Sequence, residues 1–85
     1  MNAEFITLLR PYLKYAGDQE ITAGIRLRDL GLDSMRAIEL LFAVEDAFGV
    51  MIPDDKLTEA TFETPRALWG VIAELRLASG NGELP

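Results

Sequence analysis

The chain contains neither cysteine nor histidine. Without cysteine there is no disulfide and no thiolate nucleophile, so any reactive sulfur must be brought in from outside. Without histidine the commonest general base and the commonest metal ligand are both missing. Basic residues are also few, with eight Lys and Arg against fourteen Asp and Glu, giving a formal charge of −6. No apolar run reaches the roughly 18 residues of a membrane span, and Met1-Asn2-Ala3-Glu4 lacks the basic start of a secretory signal. The expectation is one soluble, cytoplasmic domain over 1–85, monomeric, with no catalytic residues and no metal site. Eighty-five residues bury about 60% of their unfolded surface, enough to fold without staples if the core is good.

The acids are unevenly placed. Asp33, Glu39, Glu45, Asp46, Asp54 and Asp55 fall in a stretch whose one base is Arg36. Such a field repels nucleic acid phosphates and steers the domain toward basic protein surfaces, although acids also simply keep a small apolar domain in solution.

The apolar spacing predicts helices and no sheet. Asn2 can cap a first helix carrying Phe5, Leu8, Leu9 and Leu13 on one face. Pro11 should kink that helix between Thr7 and Arg10, or end it at Arg10 before a restart, with Tyr12 to Tyr15 still packing. A long connection, residues 17–32, follows, pinned by Ile21, Ile25, Leu27 and Leu30; its length suggests function. The second helix should run from Ser34 to Phe48, with Asp33 as N-cap and Gly49 as its stop. Ala37, Leu40, Leu41, Val44 and Phe48 form its inward face, bordered by a strip of Met35, Ile38, Phe42 and Glu45. Asp54 can cap a brief helix around 55–59, and Thr61 or Thr64 a last helix with Pro65 in its first turn and Leu68, Val71, Ile72 and Leu75 buried. Ser79-Gly80-Asn81-Gly82 should end that helix and begin a flexible tail. The predicted fold is all-α, a small bundle of three main helices plus one short helix, with a long first loop.

Ser34 is the focus of this pattern. It closes Leu30-Gly31-Leu32-Asp33-Ser34-Met35, where a glycine-containing loop meets a helix start, so its hydroxyl is offered at a helix mouth that favours a phosphate. An Asp-Ser pair alone is what capping places at many helix starts, and it identifies nothing. The wider pattern resembles the carrier-protein family, which includes acyl carrier proteins and peptidyl carrier domains. It spans Asp29 to Met35, continues through Glu39-Leu40 and residues 45–49, and closes with Ile52-Pro53-Asp54; the outer helices match loosely. The resemblance implies that Ser34 carries a 4′-phosphopantetheine arm derived from coenzyme A, with Asp33 read by a phosphopantetheinyl transferase together with a metal ion. It also implies partner contacts at Met35, Arg36, Glu39, Phe42, Glu45, Asp46, Ile52 and Asp54, toward acyl- or aminoacyl-loading and synthase enzymes with basic docking surfaces. A carrier needs no acid or base of its own, so the missing histidine and cysteine accord with this role.

Some residues depart from the family's commoner patterns. Arg36 stands where fatty-acid-type carriers usually have an acidic or small polar residue, and softens the acidic patch. Trp69 is uncommon in the last helix of a fatty-acid carrier and reads as a large core or rim side chain, while Phe62-Glu63-Thr64-Pro65 resembles stand-alone carriers of specialised metabolism. Leu30-Gly31-Leu32 lacks the paired glycines frequent before the serine of peptidyl domains. The expected function is therefore an acyl carrier of fatty-acid, polyketide or related biosynthesis, with an aminoacyl or peptidyl carrier as the alternative. An unmodified acidic helical adaptor is the alternative of another class. If cargo folds back into the bundle, Leu40, Leu41, Val44, Ile52, Leu57 and Phe62 should line its route. A serine hydrolase lacks its histidine and its Gly-x-Ser-x-Gly, a DNA-binding helix-turn-helix has the wrong charge, and Asp54-Asp55 begins no calcium loop.

Overall fold

In the computed structural model, which describes the backbone of residues 2–82 and the side chains of residues 2–78, every regular element is helical. Helix α1 spans Ala3–Leu9, α2 spans Ser34–Phe48 and α3 spans Pro65–Gly82. Short 3₁₀ turns occupy Arg10–Tyr12, Leu27–Leu30 and Asp54–Lys56.

The first helix begins where Asn2 accepts, through Oδ1, the N–H groups of Glu4 at 2.7 Å and Phe5 at 3.1 Å. It ends at Leu9, one residue before the expected limit, because Pro11 has no N–H to return to Thr7. The chain tightens into the 3₁₀ turn, closed by Leu13 N–H donating to Arg10 O at 3.1 Å. Leu13 is buried, but Tyr15 is 66% exposed, contrary to the expectation that it packs. What the bundle holds at Tyr15 is its backbone N–H, which donates to Leu30 O at 2.8 Å.

Leu40 and Val44 of α2 are fully buried against Phe5, Leu9, Leu68 and Ile72, the apolar face the spacing marked out. The first loop is anchored by Ile21, Leu27 and Leu30 in the same core. At the far end of α2, Phe48 packs edge-on to Trp69 at 5.6 Å and to Phe5 at 6.4 Å between ring centroids, with the Arg76 guanidinium 5.5 Å from the Phe48 centroid. This cluster joins all three helices about 21 Å from Ser34, given the rise of 1.5 Å per residue.

Two elements differ from the sequence reading. The short helix is a single 3₁₀ turn that includes Asp54 and has no side-chain cap, because Pro53 occupies the capping position. The chain after it is drawn into another turn, where Thr58 Oγ1 accepts the Thr61 N–H at 3.3 Å, a local bond that competes with helix continuation. Helix α3 is capped by Thr64, whose Oγ1 accepts Ala67 N–H at 3.1 Å, and its backbone continues through Ser79 and Gly80 to Gly82. Glycine and asparagine lower helix stability by about 1 kcal/mol or less each and do not block it as proline does. The remainder of the expected tail, 83–85, lies outside the described residues.

Candidate functional site at the start of the second helix

Loop 26–33 is stitched before it delivers Ser34. Leu27 N–H donates to Glu63 O at 2.9 Å, fastening the loop to the segment before α3, and Leu32 N–H donates back to Leu27 O at 3.1 Å. Gly31, at φ 102°, reverses the chain; a Cβ there would lie 2.8 Å from Lys14 Cγ and 3.0 Å from Lys14 N. Only glycine accepts both that dihedral and that approach.

Asp33 then caps α2. Its Oδ1 accepts the Arg36 N–H at 2.8 Å, while Oδ2 faces Arg36 Nη1 at 3.4 Å. The bond from the Arg36 N–H holds the carboxyl below the usual range; partial desolvation opposes this, and the charges of Arg36 and Lys14 add to the lowering. Ser34 is the first residue of α2, exposed, with the positive end of the helix dipole behind it. Beside it opens a groove of about 710 Å³, lined by Ser34, Asp33, Leu32 and Ala37, by Arg26 and Arg28, and by residues 57–60, 62 and 63. An exposed hydroxyl on an open groove fits the attachment of a bulky phosphodiester. Among the described residues no cluster of acids could hold a metal ion. The chain has no histidine to activate Ser34, so the hydroxyl suits receiving a group better than attacking a substrate.

Along α2, Met35, Ile38 and Phe42 are 73%, 55% and 62% exposed, and Met51 lies open after the helix. Glu39, Asp46 and Asp54 are exposed, and Arg36 is half-buried beside Asp33. Two expected contacts are placed differently. Ile52 is buried in the core, because Glu45 Oε2 accepts its N–H at 3.0 Å and draws the link inward; the Glu45 carboxylate is thereby held within the fold. Of the six residues expected along a cargo route, Leu57 and Phe62 line the groove, while Leu40, Val44 and Ile52 are closed into the core. The sequence reading placed Ile38 in the strip bordering the inward face of α2, part of it open to solvent, without naming it as a partner contact; it missed Met51 as a surface residue and Arg26 and Arg28 as groove residues. The spacing of Ile38 from Met35 and Phe42 carried the signal for Ile38; nothing local signalled the arginines.

Residues 3–72 match the family described as phosphopantetheine attachment site. Among curated proteins, the chain is 50% identical over 38 residues to the acyl carrier protein of Treponema pallidum, covering 45% of this chain and 46% of that protein. It is 37% identical over 57 residues to aminoacyl carrier protein 2 of Bradyrhizobium diazoefficiens, covering 67% of this chain and 63% of that one. The chain spans less than half the length of the acyl carrier relatives it matches. In fold it is similar, with a TM-score of 0.74 and 25% identity over 86% of this chain and 99% of the other, to a chain in a solved complex. That complex is an engineered Bradyrhizobium japonicum glycine:[carrier protein] ligase with a carrier protein from Agrobacterium tumefaciens and AMP.

Proposed function

Because this chain belongs to the phosphopantetheine attachment-site family, whose group is a covalently attached 4′-phosphopantetheine, we propose that it is a carrier modified at Ser34. When bound, the arm supplies a thiol that holds acyl or aminoacyl groups as thioesters, the sulfur that the chain itself lacks. The observation that carries the reading is the exposed Ser34 hydroxyl, fixed as the first residue of α2 and opening on a groove. Asp33 fixes the start of the helix and presents a carboxylate held ionised, suited to recognition by a phosphopantetheinyl transferase and its metal ion. The chain's own residues position and present; the family is generally non-catalytic, and the bond chemistry belongs to visiting enzymes.

Docking falls to the exposed side of α2 and the 3₁₀ turn at Asp54. Met35 and Phe42 offer apolar contact, and Arg36, Glu39, Asp46 and Asp54 set the charge that meets basic surfaces on loading and synthase enzymes. For cargo, the Leu30-Gly31-Leu32-Asp33-Ser34 pattern and the Treponema relative support acyl intermediates of fatty-acid, polyketide or related metabolism. A second reading, aminoacyl cargo, is favoured by the Bradyrhizobium aminoacyl carrier and by the fold shared with a carrier solved on a glycine ligase.

The test is intact mass after incubation with coenzyme A, magnesium and a broad-specificity transferase. A gain of one phosphopantetheine in the parent and none in Ser34→Ala is expected. No gain in a folded parent, while a reference carrier is modified alongside, would leave the unmodified adaptor in its place. Loading of the modified protein by acyl against aminoacyl ligases then separates the two cargoes.

A further inference from the structure

The groove beside Ser34 is lined by two arginines to which the carrier reading gives no task. Arg10 donates to Gly17 O and Gln19 O, Arg36 pairs with Asp33, and Arg76 lies over Phe48 and Trp69. Arg26 and Arg28 line the groove and, among the described residues, have no ion pair and no side-chain hydrogen bond. Their backbone is nonetheless fixed. Between them Leu27 is fully buried and bonded to Glu63 O, while Asp29 N–H donates to Arg26 O and Gly31 N–H to Arg28 O, each at 3.0 Å. Two arginines with anchored backbones and, among the described residues, no side-chain partner thus line the groove that Ser34 also lines.

Guanidinium groups match phosphate oxygens geometrically, and remain charged at any pH of interest. The groove's carboxylates, Asp33, Glu59 and Glu63, make it a poor trap for a free anion, but a phosphodiester tethered to Ser34 is present at high effective concentration. Beyond its phosphate a pantetheine arm carries a geminal dimethyl group, and Leu32, Ala37 and Phe62 supply apolar surface in the same groove. We infer that Arg26 and Arg28 hold the phosphodiester of the arm on Ser34 and lay the arm along this groove while no partner is docked. The inference rests on the carrier reading and deepens it.

The experiment uses isotope-labelled protein before and after modification, with intact mass establishing one group on Ser34. On modification at low salt, the Arg26 and Arg28 Nε–Hε resonances should shift, and the arm's methyl protons should show contacts to the Phe62 ring. Both signals should fade as salt rises, since the pair is open to solvent. The double variant R26Q/R28Q should return the arm signals toward those of free coenzyme A, whereas Arg66→Gln, outside the groove, should leave them unchanged. Shifts confined to Ser34 and its sequence neighbours in the parent, with sharp arm signals at low salt, overturn the inference by themselves. Absence of the mass gain overturns instead the carrier reading on which it rests.

Discussion

Asp33 acts through both of its oxygens, one capping α2 at the Arg36 N–H and the other facing the Arg36 guanidinium. Its carboxyl is held below the ordinary value of 3.8, first by the Arg36 N–H bond. A depressed folded pKa means that the stabilisation is present above the unfolded value and is lost as pH falls through the lower folded one. Asp33→Ala should therefore melt below the parent at neutral pH, with the gap closing in strong acid once the parent's carboxyl is protonated. Circular dichroism melts across pH check this; a gap unchanged in strong acid would mean that the carboxylate's charge is not its source. Gly31 makes a different demand. In Gly31→Ala the new methyl meets the Lys14 backbone, which cannot retreat freely because the adjoining Tyr15 N–H is bonded to Leu30 O. Added to the positive φ, this should destabilise by about 1–3 kcal/mol, read by urea denaturation. Ser34→Ala, at an exposed hydroxyl, should leave stability within about 0.5 kcal/mol of the parent.

At the scale of elements, the end of α2 is held by one residue the sequence marked as a surface contact. Glu45 accepts Gly49 N–H and Val50 N–H at its carbonyl and Ile52 N–H at its carboxylate, binding the following link to the helix. Glu45→Ala leaves the Ile52 N–H without a partner and should cost about 1–3 kcal/mol, while Glu45→Gln retains an acceptor and should cost less. Chemical denaturation of both variants decides, and equal losses would show that the bond is not what matters. The bounds of α2 were legible because Asp33 and Gly49 act locally, and its buried face because Leu40 and Val44 obey a simple period. Pro11 announced an interruption without revealing that the chain would continue as 3₁₀. The sequence left Ile52 open between a partner contact and an apolar position inside the bundle, because its inward turn depends on a bond to Glu45, seven residues away. The groove was hidden more deeply, since Arg26 and Arg28 are brought beside residues 57–63 by ties between distant parts of the chain, Leu27 N–H to Glu63 O and Arg66 N–H to Ala23 O. The place of Ser34 at the start of α2 was legible in the sequence, therefore, while the wall beside it was not.

Across the whole molecule, the packed aromatic cluster and the proposed docking face are separated. The Phe5–Phe48–Trp69 cluster joins the helices at one end of α2, while Ser34 stands at the other, and the exposed ridge of Met35, Ile38 and Phe42 runs from Ser34 along the helix. The net charge of −6 acts at longer range than that ridge. Charge governs how often a basic partner is met and is screened by salt over about 10 Å at 0.1 M, whereas apolar contact governs how long the pair stays together. On the proposed docking, reversing charge with Glu39→Lys and Asp46→Lys should slow association with a phosphopantetheinyl transferase and flatten its dependence on ionic strength. Truncating Phe42→Ala should speed dissociation and leave that dependence unchanged. Both sets of positions are exposed, so Trp69 fluorescence, sensitive to the packed cluster, should show each variant folded as the parent is. Stopped-flow association and dissociation at several salt concentrations separates the two effects. If Phe42→Ala altered the salt slope as much as the charge reversals, the division of labour between ridge and acids would be wrong, and the face would have to be treated as one coupled surface.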